Sequence, residues 1–230
     1  MKDKCPRMIL SGAFALLLAV MTGGAQAGPG PQPPNAHEYG KGYAELTAEW
    51  IEWTVAVAAS TNPLLDSDGT FAAVGQSGKV WFLTGTTGGS ATRAATIPVG
   101  TALFFPIVNF FWVNTPEYGD PAWSQEQEAS VRDLMAATVD TAQDVILEID
   151  GRPVPNLDSL RVSGAVGACT LPDDNIFGVP FDPVPHDCVA DGYWALLSPL
   201  SVGNHTIHFA GGFASGFSLD VTYHITVSPH

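Results

Sequence analysis

Two glutamates have the type and spacing needed for acid–base chemistry. Glu49 and Glu52 lie three residues apart within a helical pattern, which places them near each other on one helix face. Paired carboxylates can act as general acid and general base on a glycan, so this pair is the candidate catalytic site. The alternative is a solvated helix face, because a chain with 23 acidic residues produces such pairs readily.

Two aspartates have part of the pattern of a calcium loop. Asp66 and Asp68 precede Gly69, but the third ligand and the downstream glutamate of an EF-hand are missing. An ordinary Asx turn is the alternative. These two residues are the candidate metal ligands, and otherwise the sequence predicts no metal site and no cofactor.

The histidines of the C-terminal third do not fit a metal site. His205 and His208 are three apart on a predicted strand, so they point to opposite faces. A hairpin through residues 211–216 would pair His224 near position 203, roughly 16 Å from His208 at about 3.3 Å per residue. We therefore expect hydrogen-bonded or solvated surface histidines.

Nucleophilic serine chemistry has no local motif in the chain. The segments 212–216 and 75–78 come near the G-x-S-x-G pattern without matching it. A triad assembled from distant residues stays open, because triads are defined by geometry.

Five aromatic residues cluster ahead of the second predicted helix. They are Phe110, Phe111, Trp112, Tyr118 and Trp123. Flat rings with a polar edge suit sugar rings or an apolar partner, which makes Trp112, Tyr118 and Trp123 the candidate ligand-binding residues. The alternative is that the rings close one end of the fold.

The first 27 residues have the pattern of a secretory signal peptide. A basic start is followed by an apolar run from Met8 to about Met21 and by Ala25-Gln26-Ala27, which predicts cleavage after Ala27. A membrane anchor is the alternative, but about 14 apolar residues are too few to cross a bilayer comfortably. We expect a secreted or periplasmic protein with no membrane span in the mature chain.

The charge balance argues against two classes of partner. The chain has 9 Lys and Arg against 23 Asp and Glu. Residues 1–27 hold three of these bases and one acid, so the remainder has 6 bases and 22 acids, a net charge of −16. Such a surface repels phosphates, which disfavours nucleic acid and anionic membranes.

Export changes the interpretation of the cysteines. Cys5 would leave with the leader, and Cys169 and Cys188 would remain. Two thiols in an oxidising compartment are expected to form a disulfide, closing a proline-rich loop. The alternative is a metal site with His186, which has an incomplete ligand set.

Two helices are predicted. Tyr43, Leu46, Trp50, Trp53 and Val57 recur at helical spacing, which predicts a helix from 43 to 60 that Asn62-Pro63 ends. The pair Ser124 and Gln127 has the capping-box pattern, which predicts the start of a second helix.

Strand patterns dominate the rest of the chain. They are predicted at residues 80–84, 101–109, 145–150, 193–197, 204–210 and 217–227. Pro106 indicates a bulge or an edge, and Asp150-Gly151 indicates a hairpin turn. In the last strand, one face is predicted to hold Val221, Tyr223, Ile225 and Val227.

The fold class follows from this order of elements. Apolar residues make up 46% of the chain, enough for a core, and no βαβ alternation or phosphate-loop pattern is present. We expect a mainly β fold, an antiparallel β-sandwich of Ig-like or jelly-roll-like type with two packed α-helices. The predicted organisation is a signal peptide at 1–27, a flexible Gly/Pro-rich lead-in at 28–40 and one domain at 41–230. A smaller helical lobe at 41–65 is the alternative.

Four segments carry a family resemblance. Residues 75–86, 97–107, 200–209 and 221–225 hold GQSGKVWFLTGT, IPVGTALFFPI, LSVGNHTIHF and VTYHI. They resemble a family of uncharacterised secreted bacterial proteins, which implies export and a common fold but no activity. Family members often carry cysteines near positions 73 and 95, where this chain has Ala73 and Ala95, so the resemblance implies loss of a second disulfide.

Three functions remain open from the sequence. The first is an exported soluble binding or surface-associated module for a carbohydrate or protein ligand, with a polysaccharide or an envelope or matrix component as partner. The second is an extracellular polysaccharide-active hydrolase or lyase that uses acidic residues. The third is a purely structural role in an envelope or matrix.

Overall fold

The computed structural model describes residues 30–229. The predicted signal peptide therefore lies outside the described residues, as do the first two residues of the predicted lead-in. Within residues 30–229, no helix is both long and apolar enough to cross a membrane.

The described chain forms ten strands and two α-helices. The helices are α1 Tyr43–Ala56 and α2 Gln125–Val139. The strands are β1 Val80–Phe82, β2 Gly89–Pro98, β3 Ala102–Val113, β4 Ala142–Ile149, β5 Arg152–Pro153, β6 Arg161–Ser163, β7 Gly167–Cys169, β8 His186–Leu197, β9 Gly203–Phe213 and β10 Ser218–Ser228.

The strands form two packed sheets. Sheet A has the order β1-β3-β8-β6, with β7 also paired to β8, and sheet B has the order β2-β10-β9-β4-β5. The predicted β-sandwich with two helices is confirmed. Pairing is antiparallel except for β1 with β3 and β2 with β10, which are parallel.

The core between the sheets follows the strand alternation. Val221, Tyr223, Ile225 and Val227 of β10 are buried there, as predicted. Sheet A is buried on both faces, since Phe105 of β3 faces sheet B while its neighbour Phe104 packs beneath α1. Sheet B leaves its outer face to solvent.

Helix α1 covers the outer face of sheet A and ends earlier than predicted. Its Trp50 Nε1 donates to the Leu83 carbonyl oxygen at 2.8 Å. The prediction of a helix to Ser60 is wrong, because Asn62 Nδ2 donates to the carbonyl oxygens of Thr54 and Val57, each at 2.8 Å. This side chain satisfies the carbonyls of Thr54 in the last helical turn and of the C-cap residue Val57, and the chain turns away there.

Helix α2 begins where the capping pattern placed it. The Ser124 side chain accepts a hydrogen bond from the Gln127 main-chain nitrogen at 3.2 Å. Val131 and Met135 are buried against Val189 of β8. This helix therefore lies over one end of sheet A.

The bulge predicted at Pro106 is confirmed. The pairing of β3 with β8 shifts register between Pro106 and Val108. β3 continues to Val113, four residues beyond the predicted end at Asn109. Before the bulge, the odd-numbered residues of β3 direct their N–H and C=O groups toward β8. After it, the even-numbered residues do.

Strand β2 was not predicted, and it carries a buried arginine. Arg93 is 1% exposed. Its Nε donates to the Asp66 carbonyl at 2.7 Å, and its Nη1 donates to the carbonyls of Thr84 and Gly85 and to the Tyr223 hydroxyl, each at 2.8 Å. The guanidinium thus joins sheet B to two loops through oxygen acceptors.

Replacing this arginine should destabilise the whole domain. Arg93→Met leaves several buried carbonyls without a donor, which should lower the free energy of unfolding by about 3 kcal/mol or more. Urea denaturation measures the loss. Lys79→Met removes an exposed positive charge as the control and should change stability by less than about 0.5 kcal/mol. Equal effects of the two substitutions would contradict the assigned role.

Alkaline pH should weaken the contact between α1 and sheet A. Burial raises the pKa of Tyr43 to about 12, although its hydroxyl also accepts a hydrogen bond from the Leu196 main-chain nitrogen. In the unfolded chain the hydroxyl ionises near pH 10. The stabilisation is therefore complete below pH 10 and is lost as pH rises through 12, by about 2–3 kcal/mol. Urea titrations at pH 8 and 11.5 should show a smaller decrease for Tyr43→Phe than for the wild type.

Candidate functional site

An aromatic cleft lies on the described surface. It consists of two adjoining cavities of about 360 and 300 Å³ that share Phe111 and Phe177. Its floor is residues 109–113 of β3. No lysine or arginine is among the described residues that line it.

One wall of the cleft comes from turns of the two sheets. Residues 85–87 follow β1, and Phe213 and Phe217 flank the turn between β9 and β10. The Phe213 and Phe217 rings stack with centroids 5.7 Å apart. Arg93 fixes the start of residues 85–87 through its bond to the Gly85 carbonyl.

A second wall of the cleft comes from the loop that the disulfide closes. Cys169 and Cys188 are bonded, as predicted, with their Cα atoms 6.0 Å apart. Between them, Phe177 and Phe181 lie with ring centroids 5.5 Å apart. Phe177 also contacts Phe111 of the floor at 6.3 Å between centroids. The disulfide loop therefore reaches the cleft through its aromatic residues.

Two of the three predicted aromatic contact residues lie in this cleft. Trp112 and Tyr118 line its smaller cavity. Tyr118 is 55% exposed and its hydroxyl donates to the Pro180 carbonyl oxygen, which ties it to the disulfide loop. Trp123 instead lines a separate cavity of about 200 Å³ and packs with Trp112 around α2.

Two polar donors beside the cleft have no partner among the described residues. The Asn109 amide nitrogen and the Trp112 indole nitrogen are both buried without a hydrogen-bond acceptor. Asn109 lines the larger cavity and Trp112 the smaller one. Buried donors are normally paired. Two unpaired donors at the cleft floor are therefore a feature expected of a binding site.

The candidate catalytic glutamates are engaged in separate contacts. Glu49 forms an ion pair with Lys41. Glu52 Oε1 accepts a hydrogen bond from the Ala168 main-chain nitrogen at 2.7 Å and so holds β7 against α1. Neither residue lines the aromatic cleft. A catalytic role for the pair stays a prediction.

The two aspartates proposed as metal ligands accept hydrogen bonds from the chain around them. Asp66 Oδ1 accepts from the main-chain nitrogens of Asp68 and Gly69, at 3.0 and 3.1 Å, and its Oδ2 from Phe71 at 2.8 Å. The hydroxyl and main-chain nitrogen of Thr70 donate to Asp68 and lower the pKa of its carboxyl group. This is the arrangement of an Asx turn.

The histidines lie closer together than the sequence predicted. His208 pairs with Thr222 and His224 with Thr206, so the two are offset by two residues rather than five. The predicted register is wrong because β9 continues to Phe213 and β10 begins only at Ser218, so the turn lies further along the chain than residues 211–216. His208 contacts carboxylates of Glu148 and Asp220, each at 3.2 Å. Among residues 30–229, no three acidic, histidine or cysteine side chains group as metal ligands.

Ser201, His205 and Asp150 meet in the contact order of a catalytic triad. Ser201 Oγ lies 3.2 Å from His205 Nε2, and His205 Nδ1 lies 2.9 Å from Asp150 Oδ2. However, Nε2 lies closer to the Ser201 carbonyl oxygen, at 2.9 Å. A nitrogen that donates to this carbonyl cannot also accept the serine proton, so the group is suited to fastening the β4–β5 turn to β9.

Most of the cleft was not foreseen from the sequence. Four of its phenylalanines come from the disulfide loop and the β9–β10 turn, which adjoin β3 only after folding. They are Phe177, Phe181, Phe213 and Phe217. The one signal was the presence of two phenylalanines in a loop otherwise rich in proline and aspartate. Asn109 had no signal, because it lay within an apolar strand pattern.

Comparison of the chain with protein-family models, curated proteins and solved structures found no match. The family resemblance of the four sequence segments stays a prediction.

Opening the disulfide should destabilise the domain and loosen one wall of the cleft. The double variant Cys169→Ala with Cys188→Ala should lose about 3 kcal/mol of unfolding free energy, because the unfolded chain regains the entropy of an open loop. Urea denaturation with and without dithiothreitol measures it. The wild type should respond to the reductant and the double variant should not, and an unaffected wild type would contradict a stabilising bond.

Proposed function

We propose that the protein is an exported binding module whose aromatic cleft receives apolar side chains of a protein ligand. The observation that carries this proposal is a cavity of about 360 Å³ lined by six phenylalanine and tryptophan rings. Cavities of this size and lining are typical of ligand sites. Export is supported by the leader pattern of residues 1–27 and by the disulfide.

The exposure of the rings supports binding over simple closure of the sandwich. Phe177 is 42% exposed and Tyr118 is 55% exposed, whereas rings that fill a core are almost fully covered. Exposed aromatic residues that adjoin an open cavity retain apolar surface for a partner to bury.

The composition of the cleft favours a protein over a polysaccharide. Its polar side chains are fewer than its apolar ones. They are Asn109, Thr86, Thr87, Thr138 and Ser215 in the larger cavity and Thr115, Tyr118 and Asp120 in the smaller one. A sugar needs many hydrogen bonds to replace those it makes with water, and polar groups left unpaired are costly. Since Glu49 and Glu52 lie elsewhere in structural contacts, the geometry adds no support to the hydrolase or lyase alternative.

A neutral apolar dye should report on the cleft. Nile red should bind the wild type with increased fluorescence, and Phe177→Ser should weaken binding at least fivefold because this ring lines both cavities. Val202→Ser is the matched control, since Val202 is 57% exposed and lies outside the cleft. Equal affinities of the two variants, with unchanged circular dichroism, would contradict the proposed site.

A further inference from the structure

The outer edge of β3 is unpaired along the floor of the cleft. β1 pairs with Ala102–Phe104 and then departs. On this side of β3, no strand within residues 30–229 pairs beyond Phe104. Since β8 occupies the opposite edge through Val113, the second half of β3 has one free edge.

The hydrogen bonds of β3 show which main-chain groups point to the free edge. Before the bulge, Ala102 donates to Lys79 and Phe104 accepts from Leu83, so the even-numbered residues face β1. After the bulge, Asn114 donates to Asp187 beside β8. Because main-chain directions alternate along a strand, Asn109, Phe111 and Val113 direct their N–H and C=O groups to the free edge.

These three residues also belong to the cleft. Asn109 and Phe111 line the larger cavity, and Phe111 and Val113 line the smaller one. A strand placed along this edge would form main-chain hydrogen bonds with β3. Its alternate side chains would lie between the Phe213–Phe217 wall and the Phe177 wall.

Building on the proposed function, we propose that the ligand is an extended peptide segment of another protein that adds as a strand to the free edge of β3. Its chemistry would be alternating apolar residues with a basic residue beside Asp120. This is strand addition, in which the main chain supplies affinity and side-chain pockets supply specificity.

Charge complementarity favours a basic partner over a second copy of this chain. The full chain has a formal net charge of −14. Asp120 lines the smaller cavity, and Glu117 and Asp182 line the neighbouring one. Two copies joined at this edge would bring like charges together, whereas a lysine or arginine on the incoming strand would be attracted.

N-methylated peptides test the main-chain contribution on the wild-type protein. The reference is the acetylated and amidated peptide Lys-Val-Thr-Val-Thr-Val-Lys, and the matched peptides are methylated at the valine or at the threonine amides. Alternate amides of a strand face opposite edges, so one methylated peptide should bind at least tenfold more weakly and the other about as well as the reference. Isothermal titration calorimetry measures the affinities.

A pair of variants tests the site on β3 itself. Asn109→Pro removes the main-chain donor at the free edge, and Asn109→Ala keeps it, so the first should bind the reference peptide about tenfold more weakly than the second. Circular dichroism verifies that both fold.

The outcomes separate this inference from the proposed function. Nile red binding with no peptide binding, or with equal affinity for both methylated peptides, would overturn strand addition and leave the apolar site standing. Loss of both kinds of binding would overturn both proposals. A dimer in sedimentation analysis that Asn109→Pro dissociates would show that a second copy, not a basic partner, takes the edge.

Discussion

The buried guanidinium of Arg93 determines how the edge of sheet A and the cleft are built. It collects carbonyl oxygens from two loops and the hydroxyl of Tyr223, so the chain after β1 is held against sheet B instead of continuing beside β3. A buried charge without a carboxylate partner is costly unless dipoles surround it, and the carbonyls provide those dipoles. The departure of β1 therefore has an energetic cause, and it leaves the second half of β3 open.

The bulge after Pro106 complements this arrangement. Proline has no main-chain donor, so its position at the edge leaves no N–H unpaired where β1 departs. The extra residue then reverses the direction of the main-chain groups, and Asn109 and Phe111 point to the free edge while their side chains lie on the α1 face. Without the bulge, Phe110 and Trp112 would take those positions and lose their packing against α2.

Local patterns predicted the elements that local forces determine. Three of these elements depend on neighbours in sequence: the alternation in β10, the Ser124 cap and the Asp150-Gly151 turn. The cysteine pair was predicted from the expected oxidising compartment. β2 was missed because its inward positions hold Arg93 and Ala95, which do not resemble an apolar face. Long-range pairing likewise set the register of His208 and the meeting of Phe111 with Phe177, and neither leaves a periodic signal.

An open strand edge beside exposed rings carries a risk of self-association, and the composition of the chain counters it. Natural sheets cover such edges or give them charge. Here the edge residues Asn109, Phe111 and Val113 carry no charge, and protection would come from the excess of acids over bases together with Asp120 at the cleft. The same field that would keep copies apart would increase the encounter rate of the proposed basic segment, so protection from aggregation and selection of this partner would have one electrostatic origin. Salt would weaken both effects together, because screening acts equally on repulsion and attraction at the surface.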